Sequence, residues 1–168
     1  VRLHPAEAYW PFYWAPDGTP IHITYASYAR RVVNGCHSTI GAPSASDRWY
    51  FAEGYTADDF DTYLLLANPG DAAVTARVDY LLEGGGKVSR EYPLAPLSRF
   101  TVPVDAEPGL EHAAFSMQVS AGSPIVAERA MYFRKIFTDG GHASVGAQGL
   151  SRDWYFAEGC TRDFYESY

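Results

Sequence analysis

The sequence predicts an all-β protein, and three features lead to that prediction. Apolar and polar residues alternate with a period of two in several stretches, as in half-buried strands. Glycine and proline turns separate these stretches, and no convincing amphipathic helix of any length can be found. About seven short strands in roughly 100 residues indicate an antiparallel β-sandwich of immunoglobulin-like type, with a barrel as the alternative.

The first four strands are bounded by clear turn residues. A strand around Trp49 comes first, and residues 62–66, apolar on both faces, are expected to form a central strand ended by Asn68-Pro69-Gly70. Residues 74–82 alternate for most of their length and stop at three consecutive glycines. Residues 87–94 are more polar and are closed by Pro93 and Pro96, so an edge strand is expected there.

Three further strands complete the prediction. They cover residues 100–104, 115–120 and 125–133. The sequence Ala-Gly-Ser-Pro at 121–124 is expected to be a turn between the last two, because glycine and proline favour turns. The segment that follows, 142–146, is expected to be a linker that leads into the next unit.

The chain contains an internal repeat with an offset of 105 residues. The motif Trp49-Tyr-Phe-Ala-Glu-Gly54 returns at 154–159, and residues 35–63 share 14 of 29 positions with 140–168 without a gap. A repeat of this length is the size of a small domain. We therefore expect the end of a preceding repeat at 1–43, a complete repeat at 44–148 and the start of a following repeat at 149–168.

Composition and charge exclude some classes of partner. The net charge of −7 and the pI near 5.1 are opposite to those of a nucleic-acid-binding surface, so no nucleic acid is expected as a partner. No apolar run reaches the roughly 18–20 residues that a membrane helix requires, so no membrane insertion is expected. Cys36 and Cys160 occupy different positions of the repeat and make no metal motif, and whether they pair is left open.

Several motifs together resemble a known group of proteins. They are Trp-Tyr-Phe-Ala-Glu-Gly-x-Thr, Asn-Pro-Gly, Pro-Ile-Val-Ala-Glu-Arg-Ala-Met-Tyr and Gly-Gly-His-Ala-Ser. In combination they resemble an uncharacterised family of repeated β-sandwich modules in long secreted and surface-attached proteins of actinobacteria and related bacteria. The resemblance covers about residues 20–168 and implies a non-catalytic extracellular module. It brings no known catalytic or binding residues.

The repeated motif supplies the expected structural core. Glu53 lies on the same predicted strand face as Trp49 and Phe51, so its carboxylate requires a donor there, and Arg129 is the expected partner. The second copy supplies the equivalent residues, Trp154, Phe156 and Glu158.

Candidates for chemistry are weak. The acidic residues Glu53, Asp58, Asp59 and Asp61 do not have the spacing of a calcium loop, and a solvated loop is the favoured interpretation. His37 and His142 recur without a carboxylate partner, so a structural role is favoured. Glu53 and Glu128 have no motif that would support a pair of glycosidase carboxylates. We predict no enzyme activity, no cofactor and no metal.

The best candidate for ligand binding is an aromatic cluster near the start of the chain. Trp10, Tyr13 and Trp14 lie in a segment broken by prolines, and exposed rings of this kind form stacking surfaces for polysaccharides. The alternative is that these rings cover a core or a junction. A carbohydrate-binding module is therefore the second functional hypothesis.

The first functional hypothesis is a structural or adhesive module of a longer protein, secreted or attached to a bacterial cell surface. If the chain holds one complete repeat with partial repeats at both ends, the end strands are apolar and unpaired. Neighbouring copies of the module could satisfy them by strand exchange, which would build a fibre or a surface assembly. We therefore predict association with further copies of the chain.

Overall fold

The computed structural model describes residues 39–134 and 139–156, and this part of the chain is an antiparallel all-β structure, as predicted. It contains seven strands and one short 3₁₀ helix at Val104–Ala106. The strands are β1 (Ser46–Tyr55), β2 (Phe60–Asn68), β3 (Val74–Leu82), β4 (Lys87–Leu94), β5 (Ser98–Pro103), β6 (Ala114–Arg134) and β7 (Asp139–Val145).

The long strand β6 organises the sheet. Its first half pairs with β1 on one side and β3 on the other, and its second half pairs with β2 and β7. Beyond β3 lies the edge strand β4, and beyond β2 lies β5. The result is one curled sheet with two arms of four strands that share β6. The prediction that β4 is an edge strand and β2 a central one is confirmed.

Both arms face a single apolar core. Alternate residues of each strand point into it, because side chains of a strand alternate between its two faces. The largest fully buried side chains are Trp49, Tyr80, Leu64, Leu66, Leu94, Leu110, Met117, Ile125, Val78, Val102, Val104 and Val119. The core therefore lies between the arms, and the repeated Trp strand, β1, contributes Trp49 and Phe51 to it.

The predicted turn at 121–124 is wrong, because β6 runs through it as one strand of 21 residues. Opposite β1 the register jumps from Ser120 to Ile125 while β1 advances only from Arg48 to Ser46. This bulge is the place where β6 leaves one arm and enters the other. Pro124 has no N–H to donate, and it is tolerated there because the pairing with β1 is interrupted.

The predicted linker after residue 141 is also wrong, because Asp139–Val145 forms β7 and pairs with residues 128–134 of β6. Glycine allows this strand to lie close to its neighbour. A Cβ atom at Gly141 would stand 2.5 Å from the Tyr132 ring and 2.8 Å from the Met131 carbonyl oxygen. Close approach of the two backbones therefore requires glycine here, although glycine in general disfavours strands.

Candidate functional site

The candidate site is the surface of β6 that holds β1, which we call the β1 slot. It runs along β6 from Ala114 to Ile125. Trp49 is 1% exposed, and its indole N–H lies 3.0 Å from the carbonyl oxygen of Ile125 and 3.2 Å from that of Ser46. A buried indole needs such an acceptor. The slot therefore contacts both the apolar ring surface and the N–H group of the tryptophan.

Phe51 fills the next position of the slot on the inner face. Its ring is 6% exposed and packs against Gly146, where an added Cβ would approach the ring to 2.7 Å. Tyr50, which faces the other way, exchanges two backbone hydrogen bonds with Ala147, at 2.8 and 3.0 Å. The segment that follows β7 thus closes one side of the slot.

Glycine is required at the third inner position. The register between β1 and β6 gains one residue between Phe51 and Gly54, so β1 bulges there. A Cβ atom at Gly54 would lie 2.2 Å from the ring of Phe115, which is itself buried against Tyr80 with centroids 5.5 Å apart. Because that ring cannot withdraw, the repeated motif carries glycine at this position.

The bulge also corrects the expected orientation of Glu53. Its side chain is 67% exposed and does not share the inner face with Trp49 and Phe51, since the extra residue shifts the alternation. Its carboxylate nevertheless lies 3.6 Å from the guanidinium of Arg129. The same guanidinium also donates a hydrogen bond to the Glu53 backbone carbonyl.

Arg129 is the buried charge of the site. Its side chain is 8% exposed, its second terminal nitrogen lies 3.2 Å from Nδ1 of His142, and its Nε has no hydrogen-bond partner. Burial lowers the pKa of the guanidinium, and the Glu53 carboxylate opposes that effect. Arginine stays charged even so. The arrangement ties β1, β6 and β7 together through the contacts of Arg129 with Glu53 and His142.

The far end of the slot is closed by Thr56, a buried residue at 4% exposure. Its hydroxyl donates to the Leu110 carbonyl and accepts from the Ala113 N–H at 3.0 Å. Its own N–H donates to the Ala113 carbonyl, also at 3.0 Å. The threonine of the repeated motif therefore pins the end of β1 to the turn that precedes β6.

The second copy of the motif makes two of the same local hydrogen bonds as the first, although residues 151–156 do not form a strand. The indole N–H of Trp154 lies 3.1 Å from the Ser151 carbonyl, and the Asp153 N–H lies 3.2 Å from the Ser151 hydroxyl. The first copy makes the equivalent bonds to Ser46, at 3.2 and 3.3 Å. Yet three consecutive aromatic side chains of the second copy are exposed: Trp154 by 55%, Tyr155 by 94% and Phe156 by 85%.

The second copy begins beside the start of the first. The side-chain amide of Gln148 donates to the Ser44 carbonyl at 2.6 Å. Residues 44 and 149 are equivalent in the repeat, since 149 − 44 is 105. The residue that precedes position 149 therefore lies beside position 44, close to the start of β1.

A second polar cluster was not anticipated from the sequence. The buried hydroxyls of Tyr80 and Tyr92 lie 3.1 Å apart, Tyr92 donates to the Glu107 carboxylate at 2.9 Å, and Arg90 pairs with the other carboxylate oxygen at 2.9 Å. Burial raises the pKa of Tyr80 to about 12, and burial together with the Tyr80 hydroxyl and Glu107 raises that of Tyr92. Both phenols therefore stay protonated and link β3, β4 and the turn before β6.

The described residues form one notable groove beside β1, and their potential metal ligands are dispersed. A groove of about 540 Å³ lies where β1 bulges away from β6, and its lining includes Glu53, Tyr55, Leu81 and Glu83. Within residues 39–134 and 139–156, no three His, Cys, Asp or Glu side chains converge as a metal site. In the same part of the chain, no helix has the length and apolarity needed to cross a membrane.

Several residues named from the sequence lie outside the described residues. They are the aromatic candidates Trp10, Tyr13 and Trp14, the repeat residue Glu158, the histidine His37 and the cysteines Cys36 and Cys160. The described residues Trp49, Phe51, Glu53 and Arg129 come together at the β1 slot, while Trp154 and Phe156 stand apart from it in solvent.

Comparisons with known proteins show similarity of fold only. No protein-family model matches the sequence, and no curated protein sequence matches it. The chain is similar to a solved structure titled Crystal Structure of Thermotoga maritima 1070, with 17% identity and a TM-score of 0.59 over 62% of this chain and 96% of that one. It is also similar to the Anabaena sensory rhodopsin transducer, with 18% identity and a TM-score of 0.42 over 49% of this chain and 92% of that one.

Proposed function

We propose that the chain is a non-catalytic structural or adhesive module of a longer extracellular bacterial repeat protein, and that it associates with further modules through its Trp strand. The single observation that carries this proposal is the exposed second copy of that strand. Trp154, Tyr155 and Phe156 repeat the sequence and local hydrogen bonds of a strand that is buried in the first copy.

The apolar surface of the second copy provides the driving force. Full burial of one large apolar side chain contributes about 1.5–3 kcal/mol, so Trp154 and Phe156 together would gain several kcal/mol by packing on an apolar surface of a neighbouring module that its own β1 does not already cover. Contiguous exposed aromatic residues mark interaction surfaces in soluble proteins. A surface of type β6 on a neighbouring module is the partner that matches this strand best.

We also propose a more specific fold, an immunoglobulin-like sandwich that occurs as tandem modules. Two arms that enclose one core support an immunoglobulin-like sandwich, and the 105-residue offset supports tandem modules that start at 44 and 149. The sequence resemblance to repeated modules of actinobacterial surface proteins supports a secreted or surface-attached location. Rigid joining of modules would suit a stalk, a fibre or a surface lattice.

Molar mass in solution tests the proposed association. Light scattering behind a sizing column, over a wide range of protein concentration, should show mass that increases with concentration. The double substitution Trp154→Ala with Phe156→Ala should return the monomer mass. Leu97→Asn is the matched control, because it removes another exposed apolar side chain, 76% exposed, and should associate like wild type. A wild-type monomer at every concentration would contradict the proposal.

The carbohydrate-binding alternative is supported by the density of aromatic residues at 9–14 in the sequence. If it is correct, replacing Trp10 and Trp14 with alanine abolishes retention on immobilised polysaccharide without changing the unfolding temperature. Retention that survives both substitutions would exclude these rings as the binding surface.

A further inference from the structure

We infer that the second copy of the Trp strand, which the structure describes at residues 149–156, competes with β1 of the same molecule for the β1 slot. The chain would then have two alternative arrangements, in which either copy is the strand beside β6. This inference rests on the proposed role of the Trp strand as the first strand of a module. Association between molecules is a separate matter, and the two are tested by different measurements.

The second copy carries the same residue types that contact the slot in the first copy. The inner positions of β1 require an indole with its N–H, a phenyl ring and a glycine, and the Thr56 position requires a hydroxyl. The equivalent pairs in the two copies are identical: Trp49 and Trp154, Phe51 and Phe156, Glu53 and Glu158, Gly54 and Gly159, Thr56 and Thr161. A strand with these residues fits the core without repacking.

The second copy also starts in the right place. Gln148 contacts the Ser44 carbonyl, so the chain leaves the complete repeat beside the residue that opens the first copy. Ser151, the equivalent of Ser46, follows only three residues later, a reach of roughly 10 Å when extended. A tethered strand at this short distance competes at a high effective concentration, far above that of a free second molecule.

Differences outside the slot contacts explain why β1 is the occupant in the observed arrangement. Tyr55 packs its ring edge-on against Phe60 at 5.2 Å and donates its hydroxyl to Asp58 at 3.2 Å. Its equivalent is Cys160, which has neither group. The first copy therefore holds the slot by contacts at its end, while the apolar contacts within the slot are shared by both copies.

The exchange has a consequence for association. One molecule has one β1 slot and two strands that fit it, so exchange within or between molecules always leaves one Trp strand per molecule without a slot. The alternative arrangement would release β1 and the segment that precedes it, in place of the second copy. Exchange thus decides which end of the chain presents the apolar strand to a neighbouring module.

A set of alanine substitutions tests the inference by thermal unfolding. Trp154→Ala should leave the midpoint unchanged, because its ring lies in solvent. The double substitution Trp49→Ala with Trp154→Ala should lower the midpoint by roughly 10–20 °C or prevent folding, since no tryptophan remains for the slot. Trp49→Ala alone should lose less than half as much, because Trp154 replaces the missing ring.

Equal losses for Trp49→Ala and for the double variant would overturn the inference, and so would failure of both to fold. Gly54→Ala, alone and with Gly159→Ala, repeats the comparison with a milder change. Hydrogen exchange supplies the direct readout: in Trp49→Ala, the amides of 154–156 should gain protection and those of 49–51 should lose it. Rescue that appears only in a dimer, with a midpoint that depends on concentration, would overturn exchange within one molecule.

Discussion

Trp49 and Trp154 make the same local hydrogen bond in opposite environments. Each indole N–H points to the carbonyl of the serine three residues earlier, at 3.2 and 3.1 Å, yet Trp49 is 1% exposed and Trp154 is 55% exposed. The local sequence therefore sets the conformation of this turn, and burial is added by β6.

Asn68 holds two turns together, and its replacement should be costly. Its side-chain amide donates to the carbonyls of Ala72 and Ala95 at 2.8 and 3.0 Å, and its oxygen accepts from the Gly70 N–H at 3.0 Å. Because the residue is buried, Asn68→Ala should destabilise the fold by about 2–4 kcal/mol, as several polar groups lose partners. Urea unfolding measures this. A loss below about 0.5 kcal/mol, typical of an exposed site, would contradict the assignment.

The phenol network predicts a difference between two tyrosines. Tyr92→Phe removes a hydroxyl that donates to the Glu107 carboxylate, so it should cost about 1.5–3 kcal/mol. Tyr80→Phe is the matched control, and it leaves the Tyr92 bond to Glu107 in place, so about 0.5–1.5 kcal/mol is expected. Denaturant unfolding measures the two losses of free energy, compared at the same dependence of free energy on denaturant concentration. A larger loss for Tyr80→Phe would show that the carboxylate is not the main partner.

Leu97 offers a stabilising change. It has a positive φ of 48°, a left-handed conformation that costs a leucine about 1–2 kcal/mol, and its side chain is exposed. Asparagine tolerates this conformation, so Leu97→Asn should stabilise the fold by about 0.5 kcal/mol. Thermal unfolding detects such a gain. Leu97→Val, which is β-branched and should destabilise, is the opposing control, and an equal effect of both would refute the explanation.

Asp79 predicts part of the pH dependence of stability. The Ser89 hydroxyl at 2.7 Å, then Lys87 and Arg77, lower the pKa of its carboxyl below the usual 3.8. A lowered folded-state pKa contributes stability above pH 3.8 that is lost as the pH falls through the folded-state value. Asp79→Asn should therefore flatten the decline of unfolding free energy below pH 4, by about one titrating group. An unchanged acid slope would contradict this role, and added salt should weaken the effect.

The sequence predicted best where local pattern and sheet position agree. The bounds of β3 and β4 match the prediction because the alternation, the glycine turn and the prolines all indicate the same limits. The sequence predicted poorly where tertiary contacts decide. Nothing local distinguishes the bulge of β6 at 121–124 from a turn, and the glycines at the start of β7 form a strand only because β6 approaches closely.

In the candidate site, too, local pattern could be predicted from the sequence and tertiary contacts could not. The importance of Trp49 and Phe51 could be inferred from the repeated motif. Arg129 was expected near Glu53 because a carboxylate on the inner face needs a donor, and it does lie 3.6 Å away although Glu53 faces outward. The bulge that turns Glu53 outward could not be inferred, because a single inserted residue reverses the alternation without any signal in composition. The contact of Gln148 with Ser44, which joins the two ends of the repeat, depends on the folded topology alone.

Hydrogen exchange of the amides at 151–156, measured at increasing protein concentration, tests the central claim most directly. If the second copy of the Trp strand docks on another module, protection of these amides should rise with protein concentration. Protection of the β3 amides should stay constant. Exchange at the rate of an unstructured peptide at every concentration would contradict the account.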